Sequence, residues 1–135
     1  MESTEIGVET RGRHVVDLTG AVAGFLREAG AGEGLANVYV PHATAGLIVM
    51  ETGSGSEEDL EALLERLLPR DNRYVHAHGS RGHGADHLLP LLAGPSLTVP
   101  VLDGRLTLGT WQRICLLDLN EDNPRRRVRL SFLAG

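Results

Sequence analysis

The dipeptide Asp103-Gly104 lies between two strand-like runs, residues 97–101 and 105–108. Two residues of this kind between such runs form a tight antiparallel hairpin. The turn that matches strand twist needs positive φ at its centre, and Asp and Gly tolerate it. Two further apolar runs, 111–119 and 127–133, flank the longer turn NEDNPR, so the last third of the chain reads as antiparallel sheet. Earlier, residues 4–9 alternate polar and apolar as a half-buried strand does, with 14–17 as a short partner. Residues 35–41 and 45–51 read as two more strands. A helix is predicted over 20–29, with Thr19 as its N-cap and Val22, Phe25, Leu26 and Ala29 on one face. A second, over 57–68, opens on a capping-box-like Ser56 and Asp59 and carries the stripe Leu60, Leu63, Leu64, Leu67. A short helix over 85–93 stops before Gly94-Pro95. Strands gathered at the C-terminal end, with helices between earlier ones, predict an α+β fold rather than parallel α/β.

At 135 residues the chain fits one domain, 1–135, with its own core. Aromatic residues make up only 4%, so Leu, Val, Ile and Ala must fill that core. No apolar run approaches a membrane span, and the acidic, polar N-terminus lacks the pattern of a signal peptide, which leaves the cytoplasm as the expected compartment. The net charge of −5 disfavours a sequence-independent grip on nucleic acid. All thirteen basic residues are arginine, which excludes lysine Schiff-base chemistry. Cys115, the single cysteine, lies in an apolar run and reads as a packed core thiol.

Histidine is where chemistry is expected. Four of the six fall within twelve positions: His76, His78, His83 and His87. Neutral imidazole is the commonest metal ligand and a proton carrier near neutral pH. In an extended segment His76 and His78 share one side, while His87 heads the short helix. The spacing matches no standard zinc motif, so a solvated Gly-rich loop is the competing reading. His42, in PHATAG between two strands, is the next candidate, against a hydrogen-bonded turn histidine. Glu51 is either a base or a solvated charge, and Asp59 is read as helix-start chemistry. In GTWQ, Gln112 is polar among apolar neighbours and so a candidate to face a pocket, while Trp111 is expected to pack. In PRRR, Arg125 and Arg127 suit phosphate oxygens, while Arg126 reads as a solvated turn residue.

The segments PHATAGLIVME (41–51), the acidic helix with Asp59, RYVHAH…GADHL (73–88), GPSLTVPVLDGRLTLGTWQRI (94–114) and NPRRRV (123–128) together resemble the YjbQ family. That resemblance implies a compact, sandwich-like α+β domain, a homotrimer, and a link to secondary thiamine-phosphate synthase activity. It carries the family's histidines onto His42, His78 and His87, its glutamine onto Gln112 and its arginine onto Arg125. These would line one site at a subunit interface, with the three histidines on a divalent metal ion, zinc or magnesium; Glu51 is kept as a candidate catalytic residue from its own reading. The chain departs from the family at Met50-Glu51, where Asn-Glu is usual, and in the turn before Pro124; His76 and His83 look particular to this sequence.

Three functions follow as expectations. The first is a transferase joining a pyrimidine diphosphate to a thiazole phosphate, with Arg125 and Arg127 on the leaving diphosphate. The second is a metal-dependent hydrolase or lyase, with Glu51 or Asp71 as base. The third is a non-catalytic module that binds a small phosphorylated molecule.

Overall fold

The computed structural model describes residues 1–135. Its elements are β1 (Glu2–Glu9), β2 (Val15–Asp17), α1 (Thr19–Glu28), β3 (Gly34–Tyr39), β4 (Gly46–Met50), α2 (Ser56–Leu67), α3 (His83–Asp86), α4 (Leu89–Ala93), β5 (Ser96–Leu102), β6 (Arg105–Leu106), β7 (Arg113–Leu117) and β8 (Arg125–Ala134). The strands form two antiparallel sheets, one ordered β1-β8-β3-β5-β6 and the other β2-β7-β4. The α+β expectation therefore holds, and the short helix comes as two turns, α3 and α4. No helix is long and apolar enough to cross a membrane.

The core lies between the two sheets and α1. Val38 of β3, Val101 of β5, Ile114 and Leu116 of β7, Val128 and Leu130 of β8, and Val22 and Leu26 of α1 all lie in it. A smaller cluster, Leu64, Leu89, Ala93 and Leu117, fastens α2 and α4 to the second sheet. Cys115 is fully buried, and burial pushes its thiol up to about 11, which makes it inert. The hairpin turn forms as expected, with Asp103 and Gly104 at φ 51° and 74°.

Several local expectations fail. Thr19 does not cap α1. Its Oγ1 instead accepts the Ile114 N–H at 2.8 Å, fastening the helix to β7. Leu18 occupies the cap position, and its side chain goes to the core. The box at Ser56 does not form either. Gly55 precedes the helix at φ 90°, and the Glu57 carboxylate reaches back to the Gly53 N–H at 2.8 Å. Only Leu64 of the α2 stripe is buried, against Leu117 of β7, while Leu63 and Leu67 face solvent. Trp111 does not pack: it is 72% exposed, on a turn rather than in a strand.

The largest correction concerns Arg126. It is buried, at 2% exposure, not solvated. Strand β8 begins at Arg125, two residues before the expected start, so Arg126 shares the inward face with Val128, Leu130 and Phe132. Its guanidinium forks onto Asp118, at 2.7 Å to Oδ2 and 2.9 Å to Oδ1, and donates to Thr44 Oγ1 at 2.8 Å. Asp118 also accepts from the Thr10 hydroxyl at 2.6 Å and the Asn120 N–H at 3.0 Å. No fully enclosed side-chain nitrogen or oxygen lacks a hydrogen-bond partner.

A histidine cluster as candidate site

The irregular segment between α2 and α3 is held by one arginine. The Arg70 guanidinium pairs with buried Asp86 and donates to the carbonyls of Arg81 and Leu119 at 3.0 and 3.1 Å. Asn120 Nδ2 donates to the same Asp86 carboxylate at 3.0 Å. Asp122 closes the other side, accepting the Ser80 N–H at 3.0 Å and the Ser80 hydroxyl at 3.0 Å. The segment is thus pinned from the β7–β8 turn, and it carries the histidines.

All four histidines of the 76–87 segment meet. The His76 ring centroid is 4.1 Å from His78 and 4.4 Å from His87, and the His83 ring is 4.8 Å from both His78 and His87. His76, His83 and His87 each offer a ring nitrogen, all within 4.8 Å of one another. His83 Nδ1 lies 2.7 Å from Asp122 Oδ2 and 3.2 Å from Asn120 Nδ2. The carboxylate is the stronger acceptor, and the Asn120 amide already donates to Asp86, so we assign Nδ1–H of His83 to Asp122. In the neutral ring that leaves Nε2 as a lone pair, 3.1 Å from Nε2 of His87.

Electrostatics favour the uncharged form of His76 and His87. His87 is held below the ordinary imidazole value by burial first, then by His83 and His78; His76 is held low by desolvation first, then by His78, His87 and His83. Asp122 is held low: the Ser80 N–H and His83 outweigh its slight burial. His76, His78 and His83 line an open cavity of about 360 Å³ that Asp71, Tyr74 and Arg81 also border.

Gly84 lets the cluster close. A Cβ there would lie 2.6 Å from the His76 carbonyl oxygen and 2.7 Å from Tyr74 Cβ. Gly84→Ala is expected to cost about 1–3 kcal/mol of stability, read by urea denaturation, by pushing the 74–76 backbone off α3.

His42 lies outside this cluster. Its Nε2 accepts the Arg127 N–H at 2.9 Å, and it shares with His87 only a shallow groove of about 510 Å³. Gln112 borders a different cavity that holds no histidine, and its Oε1 accepts the Gly109 N–H at 2.8 Å. Glu51 is exposed just past β4, and Arg125 is exposed at the start of β8 without an ion-pair partner. Asp71 faces the histidine cavity but is held low by Arg73 at 2.8 Å. Within one chain, then, His78 and His87 come together, while His42, Glu51, Gln112 and Arg125 do not join them. Sequence reading missed Asp122, Asn120, Asp86 and Arg70. Only the run of Asn and Asp in NEDN hinted that this turn had side chains to spend.

His42 carries its own prediction. Only a neutral ring accepts the Arg127 N–H, and burial first, then Arg126 and Arg127, hold its pKa below 6.5. The unfolded chain therefore binds the proton more readily. Stability contributed by neutral His42 is intact above about pH 6.5 and is lost as pH falls through that value towards the folded pKa. His42→Gln keeps an acceptor that does not titrate. It is expected to flatten the fall in urea stability between about pH 7 and pH 5.

A family model described as UPF0047 protein YjbQ-like matches residues 4–135. The UPF0047 protein Rv2556c of Mycobacterium tuberculosis is 60% identical over 135 residues, covering 100% of each chain. The UPF0047 protein YugU of Bacillus subtilis is 34% identical over 127 residues, covering 93% of each. Among solved structures, hypothetical protein APE1520 from Aeropyrum pernix K1 superposes with a TM-score of 0.91 at 34% identity, covering 100% of both chains. A YbjQ-like protein of unknown function from Sulfolobus solfataricus gives 0.90 at 26% identity, covering 99% of this chain and 97% of that one.

Proposed function

Since the chain belongs to the YjbQ-like UPF0047 family, we propose that it is a metal-dependent enzyme that holds a zinc-type divalent ion on His76, His83 and His87 and cleaves a small substrate by hydrolysis or elimination. The observation that carries this reading is the facing pair of ring nitrogens, His83 Nε2 and His87 Nε2, at 3.1 Å. Two imidazole nitrogens on one tetrahedral ion with bonds of 2.0–2.1 Å lie about 3.3 Å apart, so the pair is nearly in ligating position. Asp122 behind His83 is the second support. A carboxylate on the far ring nitrogen fixes the tautomer and raises ligand basicity, as in the carboxylate–histidine–zinc arrangement.

A zinc-type ion supplies a nucleophile at neutral pH by lowering the pKa of coordinated water. The chain's own residues do the rest. His78, in ring contact with His76 and His83 but outside the three-nitrogen grouping, carries protons at the cavity mouth. Arg81 at the rim, braced by its Nε on the Arg70 carbonyl at 2.8 Å, orients an anionic substrate group. Thiamine-phosphate transfer is the less favoured reading. Its diphosphate leaving group calls for Mg²⁺, which prefers oxygen ligands, whereas this donor set is nitrogen.

The test is turnover of phosphate and carboxylate ester substrates by protein purified without a polyhistidine tag. Activity is expected to vanish on chelation, to return with zinc, and to be absent in His87→Ala. Activity that survives chelation and His87→Ala alike would overturn the reading.

The homotrimer is likewise a proposal. Leu91 and Leu92 of α4, and Leu35 and Leu133 on the outer face of the five-stranded sheet, stand exposed on a single chain, and a second copy would cover them. Light scattering is expected to give three times the chain mass, and a monomer at micromolar concentration would exclude it.

A further inference from the structure

The largest cavity, about 570 Å³, is far in sequence from the histidine segment and contains none of it. It lies between α1, the β5–β6 hairpin and the Gly109–Gln112 turn. We infer that it is a second small-molecule site, for a ligand with a phosphate or diphosphate group on an uncharged body.

The lining is rich in donors and poor in acceptors. Arg27, Arg105 and Arg113 border the cavity, against a single carboxylate, Asp103. Arg27 and Arg105 make no ion pair, so two guanidinium forks stand unused. Arg113 is held by Asp17 Oδ2 at 2.7 Å, and Asp17 is itself held by the Thr19 N–H at 2.9 Å, so this third fork is pre-oriented. Gln112 spends its carbonyl oxygen on the Gly109 N–H, which leaves its amide hydrogens as the unspent end. Guanidinium forks and amide donors around one hollow are the chemistry that recognises phosphate oxygens.

Part of the remaining wall is apolar, and the hairpin side is braced. Ala23, Leu26, Leu106 and Leu108 supply a surface for an uncharged body. The hairpin tip is fastened to the loop after α1 by the Gly104 N–H on the Gly32 carbonyl at 2.9 Å, which sets the width of the hollow. A volume of this order holds a metabolite-sized ligand. The inference does not depend on the metal reading, because no residue is shared between the two cavities.

The test is calorimetric titration of the full chain with inorganic diphosphate, AMP and adenosine. Diphosphate and AMP are expected to bind saturably, and adenosine about tenfold or more weaker, since the phosphate contacts are charge-assisted. The exposed pair Arg27→Ala and Arg105→Ala, combined, is expected to weaken AMP by about tenfold or more while leaving metal content unchanged. His83→Ala is expected to bind AMP as the wild type does. Four results would each overturn the inference: no saturable heat from diphosphate or AMP below about 10 mM, equal affinity for AMP and adenosine, full affinity in the double arginine variant, or loss of AMP binding in His83→Ala. Loss in His83→Ala would place the anion at the histidines and leave the metal reading standing. Loss of zinc from His83→Ala with AMP binding intact would separate the two sites.

Discussion

Asp118→Ala is expected to destabilise the fold by about 3–5 kcal/mol, because it leaves the Arg126 guanidinium charged and buried with no counter-ion. Both side chains are almost completely enclosed, at 1% and 0% exposure. The substitution removes four hydrogen bonds at once: two from Arg126, one from the Thr10 hydroxyl and one from the Asn120 N–H. Only Thr44 Oγ1 remains for the guanidinium, and a neutral hydroxyl cannot replace a carboxylate. The measurement is the urea midpoint at constant m-value. Arg126→Ala should fall in the same range for the mirror-image reason. Asp118→Leu with Arg126→Met should cost about 2 kcal/mol or more less than the sum of the single losses, because the penalty is the unpaired charge and not the absence of the pair. A loss under about 1 kcal/mol in Asp118→Ala would mean that water reaches the centre and solvates the arginine.

If the proposed zinc site is right, His83→Ala is expected to empty it, taking bound zinc from about one equivalent per chain to below about a tenth. Three neutral nitrogens with one open position suffice for a catalytic zinc ion; two on a mobile segment do not. His83 has a second task, since its Nδ1–H to Asp122 helps hold the segment to the β7–β8 turn. Asp122→Asn is therefore the sharper variant. It keeps an acceptor for His83 and Ser80 but removes the charge, and zinc affinity should fall about 10- to 100-fold with the fold intact. Competition against a chromophoric chelator, on tag-free protein checked by circular dichroism, reads both. His42→Ala decides between two ligand sets. The grouping within one chain predicts unchanged zinc. Loss of zinc in that variant would restore the set His42, His78 and His87 that the family resemblance implies, closed across a subunit boundary. A wild-type chain without stoichiometric metal would remove the metal reading altogether.

What the residues spell locally was readable without a structure. Asp103-Gly104 dictated its hairpin because positive φ at both positions is a property of those two residues. Cys115 was legible as core from its apolar neighbours, and the crowding of His76, His78, His83 and His87 into one segment was legible as well. Helix caps were half legible. Ser56 and Asp59 had the right spacing, but the left-handed turn through Gly53, Ser54 and Gly55 brings the chain in at an angle that suits Glu57 instead.

The histidine cluster also shows where local reading ends. The family resemblance favoured His78 and His87 over His76 and His83, yet the nitrogen that a carboxylate positions belongs to His83. Its partner Asp122 is 39 residues away, and the Arg70–Asp86 clamp that shapes the segment draws on Asn120 as well. The cluster became a candidate site only when the β7–β8 turn was laid against it.

By itself, then, the sequence determined the α+β class, the strand and helix order, and the segment in which the histidines are concentrated. These depend on side chains within a few residues of one another. The tertiary structure alone decided that Arg126 is buried on Asp118, that Asp122 orients His83, and that His42 and Gln112 stand apart from the cluster. The reason is register. A strand start shifted by two residues sends Arg126 inward beside Val128, and the pairing of β8 with β1 and β3 fixes which distant polar groups it meets.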